Sequence, residues 1–377
     1  MPLIYLVAGE TSGDTLGARL MTALRARRPD LDFAGIGGTL MARHGLISLF
    51  PMRELALMGL LEVVPRLYQL RRRLRQTAAD IAARRPDIVV TIDSPSFTLR
   101  LLHAIRPLGV RRVHYVAPQV WAWRESRVRH YRGLWDRLLC LLPFEPAFFA
   151  RHDLPATFVG HPVLESGTDR GDAARFRATY GVAPSARVLT LMPGSRRTEV
   201  ARLLPILGET LRRLPDIVPV VPVAGAVAEV VSSGARSWPR PALLVTETRD
   251  KHDAFAASAA ALTKSGTSTL ELALAGVPMV VTYRVNPLSA AVARRLIRVR
   301  HAALVNLLAA GEVVPELLQG DCTPDRLATA VRRLLGDAAA VAAQRAAFDA
   351  VLASLHPGEG TPSDAAASAV LDLLDQA

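Results

Sequence analysis

Short apolar runs alternate with longer amphipathic segments along almost the whole chain, and the series runs twice. Runs suited to strands lie at Ile4–Ala8, Asp32–Ile36, Ile88–Ile92, Arg112–Val116, Arg137–Leu142 and Thr157–Val159. After a polar, glycine-containing stretch around Glu165–Asp172 the pattern restarts at Val188–Met192, Val218–Val223, Ala242–Val245, Ala260–Thr263 and Met279–Tyr283. Helical segments rich in alanine fill the remainder, and Ala338–Ala350 reads as helix because alanine is the strongest helix former. Strand, helix, strand in repetition implies parallel sheets built from right-handed crossovers. Two such series in 377 residues predict an α/β chain with two Rossmann-like domains facing a cleft, divided between residues 165 and 166.

Composition excludes several classes. No apolar run approaches the ~20 residues that span a bilayer. Met1–Val7 enters a strand directly without a basic leader, so no signal peptide is expected. Cys140 and Cys322 offer neither metal spacing nor a disulfide framework, which fits a reducing cytoplasm. The net charge of +12 is carried almost wholly by arginine, since Lys251 and Lys264 are the only lysines. Spread thinly, such arginines are a solvated surface; concentrated, they suit an anionic partner. The densest patch is Arg66, Arg71, Arg72, Arg73 and Arg75, set among Leu60, Leu61, Val63, Val64, Leu67, Leu70 and Leu74. Two readings stand for it: a core-facing helix with a basic outer face, or a helix lying in a membrane interface. No aromatic residues interleave with these arginines, and nucleic acid is not expected as a partner.

Ligands of such folds bind beyond the carboxyl ends of the strands, and the informative residues collect there. The first run is followed by Gly9-Glu10-Thr11-Ser12-Gly13-Asp14, which opens a helix without the dinucleotide glycine spacing. Asp93-Ser94-Pro95 follows the third run; Asp93 can cap the next helix or act as a general base. The fourth run leads into Ala117-Pro118-Gln119-Val120-Trp121-Ala122-Trp123-Arg124, where the tryptophans can stack on a sugar or brace the cleft wall, the latter favoured, and Gln119 is left for polar contacts. In the second series, Gly194 and Ser195 expose backbone donors at a helix start and Arg196 can reach a diphosphate. Lys264-Ser265-Gly266-Thr267 brings amides, hydroxyls and a helix N-terminus to one point, a seat for an anion. Glu271 lies one turn later, where its carboxylate can accept from a sugar diol.

Together these segments resemble the lipid-A-disaccharide synthase family. The resemblance is carried by GETSGD at Gly9–Asp14, IDSP at Ile92–Pro95, HYVAPQVWAWR at His114–Arg124, LPFE at Leu142–Glu145 and FVGHP at Phe158–Pro162. It continues through PGSR at Pro193–Arg196, SGTSTLE at Ser265–Glu271, Pro278–Arg284 and Val305–Gln319, covering nearly the whole chain in order. It implies a glycosyltransferase fold of the B type, with an acceptor-binding domain over 1–165, a UDP-sugar-binding domain over 166–350, and a helix within 351–377 that returns to the first domain. It implies a UDP-linked acylated sugar as donor, an acylated sugar phosphate as acceptor, and no cofactor or metal. A cytoplasmic enzyme held peripherally at the inner membrane is expected, and a homodimer is left open.

The resemblance makes Asp93 the base that takes the proton of the attacking sugar hydroxyl. Gly194, Ser195, Arg196, Ser265, Gly266 and Thr267 would hold the departing UDP, Glu271 its ribose, and Asn306 would stand at the donor site. Glu10, Ser12, Asp14, Gln119 and Trp121 are expected around the acceptor or in the cleft. Leu60, Leu61, Val64, Leu67 and Leu70, with Arg71 and Arg72, are expected at the membrane. Direct displacement would invert the anomeric centre. The chain departs from the family pattern at Ser96, where an Asp is expected, and at Thr39, where a Pro is. The segment expected as Asn-Leu-Leu-Ala-Gly-Arg-Glu reads Asn306-Leu307-Leu308-Ala309-Ala310-Gly311-Glu312, without the arginine. Another UDP-sugar transferase or epimerase of this fold, or a non-enzymatic membrane-associated binding protein, are the alternative functions.

Overall fold

The computed structural model describes residues 1–55, 63–286 and 299–376, with backbone alone over 63–67. The chain forms two compact units, Met1–Pro162 with Leu355–Ala377, and Val163–Ser354. Each holds a six-stranded, all-parallel sheet. The first comprises β1 (Leu3–Ala8), β2 (Asp32–Ile36), β3 (Ile88–Ile92), β4 (Arg111–Tyr115), β5 (Arg137–Cys140) and β6 (Ala156–Phe158), in the order β2-β1-β3-β4-β5-β6. The second comprises β7 (Arg187–Met192), β8 (Ile217–Pro222), β9 (Leu243–Val245), β10 (Ser258–Lys264), β11 (Met279–Tyr283) and β12 (Glu316–Leu318), in the order β12-β11-β10-β7-β8-β9.

β1 shows why the sequence takes this form. Its residues are apolar in an unbroken run, so both faces of the sheet need a cover. Ile4, Leu6 and Ala8 pack with Leu16, Leu20 and Leu24 of the helix Thr11–Arg27 and with Ala366, Val370 and Leu374 of the helix Pro362–Asp375. Tyr5 and Val7 face the other layer, with Phe97, Leu101 and Ile105 of the helix Pro95–Ile105. Each such side chain contributes ~1.5–3 kcal/mol on burial. The Tyr5 hydroxyl, the polar atom on that face, donates to Asp80 Oδ2 at 2.7 Å. In the second unit Val200, Leu203, Leu207 and Leu211 of the helix Arg197–Arg212 cover one face, while Phe176 and Ala254 pack with Val188, Val220 and Val245 on the other.

The helix Pro362–Asp375 begins with a capping box, in which Thr361 Oγ1 and the Asp364 carboxylate each bind the other residue's amide. Its far end is capped by Arg111, which donates to the Leu374 carbonyl at 3.0 Å.

Two expectations change. The helix Val63–Arg84 turns Leu70, Leu74 and Ile81 into the core beside Phe50 and Phe97, and Leu70 is only 6% exposed. Residues four and seven apart share a helical face, so a residue committed to the sheet at Ile81 commits Leu70 and Leu74 as well. Leu70 is therefore a core residue and does not meet a membrane. Arg71, Arg72 and Arg75 are exposed on the opposite face, while Arg73 folds back onto Glu54 at 2.7 Å and over the Phe50 ring. Leu60 and Leu61 lie outside the described residues, as do the side chains of Val64 and Leu67. The second change is β12, absent from the sequence reading: three residues at a sheet edge, after Pro315, give no periodicity to detect. No described helix is long and apolar enough to cross a membrane.

Candidate active site

Each sheet has one place where successive strands lead off in opposite directions: between β1 and β3 in the first, between β7 and β10 in the second. Loops that leave such a pair diverge and open a crevice at the carboxyl ends. Asp93 stands at the first of these points. It and Ser94 both take left-handed backbone conformations, φ 51° and 47°, which L-residues with side chains adopt at a cost. The turn is held by Asp93 N donating to Tyr115 O at 2.9 Å and by Thr98 Oγ1 donating to Asp93 O at 2.7 Å. The helix that follows takes Ser94 as its N-cap residue, without a cap from the Ser94 side chain. Burial raises its pKa above the ordinary carboxylate value, and the Ser94 amide only partly offsets this. Gly9, at the end of β1, leaves room for this turn: a Cβ there would lie 2.5 Å from Ser94 Oγ.

Glu10 and Ser12 are exposed at the start of the helix that follows β1. Asp14 is not. It is 3% exposed and accepts from the amides of Gly38 at 2.8 Å, Leu40 at 3.0 Å and Met41 at 3.0 Å. It thus caps the helix Thr39–Arg43 from another element. After β4, Val116 takes φ 81°, a strained value for a β-branched residue, and Gln119 is exposed. Trp121 Nε1 donates to Glu145 Oε1 at 3.0 Å, and its ring meets Phe144 edge-on, so this tryptophan braces the loop. Glu145, missed as a candidate, is 2% exposed and also accepts from Leu141 N at 3.1 Å and Leu142 N at 3.0 Å. Burial pushes its pKa up to about 7 against those three donors.

The switch point of the second unit holds a cavity of about 440 Å³. Gly194 and Ser195 after β7 line it, as do Lys264, Ser265, Gly266 and Thr267 after β10, and Thr246–Thr248 and Lys251 beyond β9. Gly266 takes φ 137° and Gly194 φ 111°, conformations that glycine reaches without a Cβ penalty. Thr267 precedes the helix Ser268–Leu274, whose Ser268 hydroxyl turns inward to Lys264 O at 3.1 Å. Glu199 gathers three partners: Lys264 Nζ at 2.7 Å, Tyr283 Oη at 3.2 Å and Arg196 at 3.3 Å. Burial would raise the Glu199 pKa, yet Lys264 and Arg196 hold it below the ordinary value. Arg196 is 75% exposed and stands outside the cavity lining. Glu271 pairs with Lys251 at 3.0 Å.

The side chain of Asn306 is fully buried: Oδ1 accepts from Val313 N and Val314 N, and Nδ2 donates to Val314 O and Glu316 Oε1. Every hydrogen-bonding position of the amide is used within the chain, so the side chain pins a loop. Sequence spacing placed Lys264 at the head of the anion seat without a role for its ammonium, and it did not select Lys251. The signal lay in composition, for the chain's two lysines both line this cavity. Among the described residues no group of three or more His, Cys, Asp or Glu could hold a metal ion.

The chain matches the family model LpxB, lipid-A-disaccharide synthetase, over residues 4–370. It is 59% identical to the lipid-A-disaccharide synthase of Granulibacter bethesdensis, across 100% of this chain and 99% of that one. Identity to the enzyme of the same name from Gluconobacter oxydans is also 59%, across 99% and 91%. Among solved structures, an S. aureus MnaA–UDP co-structure superposes with a TM-score of 0.67 at 16% identity, covering 100% of this chain and 98% of that one. Acinetobacter baumannii MurG gives 0.58 at 13% identity, with 100% of both covered. These two likenesses establish the fold, two parallel α/β units of the glycosyltransferase B type. The match over nearly the full length, with relatives so alike, establishes more: this chain belongs to the lipid-A-disaccharide synthetase family of glycosyltransferases.

Proposed function

We propose that the enzyme joins two acylated glucosamines. The 6-hydroxyl of 2,3-diacylglucosamine 1-phosphate attacks the anomeric carbon of UDP-2,3-diacylglucosamine and gives the β-1,6-linked disaccharide 1-phosphate and UDP. The names of the relatives support the product class. The observation that carries the reading is Asp93, held on a strained turn at a strand end with its pKa raised by burial. A sugar hydroxyl is a weak nucleophile near neutrality, and a carboxylate of raised pKa is a better acceptor for its proton. As the new bond forms, the hydroxyl proton passes to Asp93 and the electrons of the old C–O bond pass to the β-phosphate. Attack from the opposite face inverts an α-linked donor to a β-linked product. The amides of Gly194, Ser195 and Ser265–Thr267, with Arg196, take up charge on UDP without a metal, and Glu271 accepts from the ribose.

Incubation of the purified protein with both substrates tests this directly. Disaccharide and UDP should appear together, in equal amounts, and only when both substrates are present. UDP released without acceptor, or an isomerised UDP-sugar, would overturn the reading.

An acylated acceptor sits in a bilayer, and we infer peripheral docking at the cytoplasmic face of the inner membrane through the basic side of the helix Val63–Arg84. Arg71, Arg72 and Arg75 are exposed there beside Tyr68, which is 78% exposed. Each arginine near an anionic surface contributes ~1 kcal/mol, screened by salt. Reversing all three to Glu should abolish flotation with anionic vesicles at low salt and leave the melting temperature nearly unchanged. Leu70→Ser should do the opposite, lowering stability by ~2–4 kcal/mol while the folded fraction still floats.

A further inference from the structure

Of the 46 basic residues in this chain, two are lysines, and both line the cavity of the second unit. Lys264 is the more committed. Its Nζ lies 2.7 Å from Glu199 Oε2 and 5.6 Å from the centre of the Tyr283 ring, and its side chain is 19% exposed. The stem runs past Gly194, where an added Cβ would come within 3.0 Å of Lys264 Cδ and 3.5 Å of Glu199 Oε2. The glycine that resembles a phosphate-loop residue is thus also the space through which the lysine passes.

The two cations on Glu199 differ in kind. Arg196 reaches Oε1 from a side chain 75% exposed and outside the lining. Lys264 reaches Oε2 from within the lining. An ammonium carries three N–H donors; one goes to Glu199, and two remain for an incoming oxyanion. A guanidinium at this place would engage the carboxylate through its planar fork, which fixes the directions of the donors that remain. The buried carboxylate also holds the ammonium in place before any nucleotide arrives, so little reorganisation is needed when negative charge develops.

We propose that Lys264, seated on Glu199, is the cation that meets the diphosphate of the bound nucleotide and takes up the charge gathering on it as the sugar departs. This rests on the reading of the second unit as the UDP site. Calorimetry with UDP and with uridine separates the two ideas. In Lys264→Met, UDP should bind about 10- to 100-fold more weakly while uridine stays within about two-fold, and Lys264→Arg should recover part of the loss. Equal weakening of both ligands, or of neither, would overturn the role of Lys264 alone. Failure of the unaltered protein to bind UDP would overturn the site reading and this inference with it. Reductive methylation of the unaltered protein gives a check that needs no variant to fold. UDP should protect Lys264 from the reagent and uridine should not; equal labelling under both conditions counts against the proposal.

Discussion

The two switch points solve opposite problems with opposite backbones. At the first switch point the left-handed residues are Asp93, Ser94 and, just past the next strand, Val116; none of these three is glycine. In the second unit the left-handed residues facing the cavity are Gly194 and Gly266. Strain of roughly 1–3 kcal/mol per residue is thus held where one carboxylate must point in one direction. Where a ligand must come close to the main chain, the conformation is relaxed and the side chain is missing. A base needs over-determination, whereas a nucleotide seat needs space and donors. The polar chemistry differs in the same sense: a single acid kept apart from cations in one unit, cations already paired to acids in the other.

Breaking the first half of that contrast should have the largest effect. Asp93→Ala should lower turnover by at least ~10²-fold while UDP affinity, read by calorimetry, stays within a few-fold. Near-normal turnover in a folded variant would remove Asp93 from the mechanism. Asp93→Asn sharpens the point. A carboxyl whose folded pKa is raised costs stability once ionised, so this variant should melt higher than the unaltered protein near neutral pH. The gain should vanish as pH falls through the folded pKa of Asp93.

Glu145 tests whether burial of acid in the first unit extends beyond the base. Its pKa stands at about 7 in the fold against 4.5 for an ordinary glutamate. The unfolded chain therefore loses this proton first as pH rises. Its contribution to stability is fully present below about 4.5 and is lost as pH climbs through about 7. The change is on the order of 3 kcal/mol. Denaturant titrations of Glu145→Gln should show that slope removed relative to the unaltered protein; parallel curves would count against it.

The second half of the contrast breaks at Glu271, where Ala should weaken UDP binding by ~1.5–3 kcal/mol through loss of a charge-assisted contact. Arg196→Ala should cost less, because its guanidinium is largely solvated. Unchanged UDP binding in both would place the nucleotide elsewhere. The smallest effect belongs to Ala310. It takes φ 52° just past the helix Leu304–Leu308, at the position where the family pattern has glycine. Ala310→Gly should raise stability by about 0.5–1 kcal/mol and leave turnover alone, as thermal melts and initial rates will show.

Ala310 also marks the reach of sequence reading. Its oddity was visible as a mismatch, but the reason, a left-handed helix end, required the fold. Strand runs such as Ile4–Ala8 and Met279–Tyr283 were legible because a strand covered on both faces must be apolar throughout. The loops that follow β3, β7 and β10 were legible as strand ends with small or acidic residues. The internal partners of Asp14 and Asn306 were not legible, because a polar side chain near a motif looks the same in sequence whether or not it meets a distant amide. Their partners, Gly38 to Met41 and Val313 to Glu316, come from other elements, and no local spacing announces such a bond. Leu70 misled for a related reason: an amphipathic helix states that it has an apolar face but not what the face meets.

The pairing of the helices Thr11–Arg27 and Pro362–Asp375 has a consequence for how the protein is made. One wall of the first unit comes from residues synthesised near the beginning, and the piece that covers it from residues synthesised after the whole of Val163–Ser354. The second unit is an unbroken stretch and can fold on emerging from the ribosome. The first must wait, with Leu16, Leu20 and Leu24 lacking the cover of Ala366, Val370 and Leu374 until the segment beyond Ser354 has been made. A hydrophobic seam on the first unit therefore stays open while the whole of the second is synthesised.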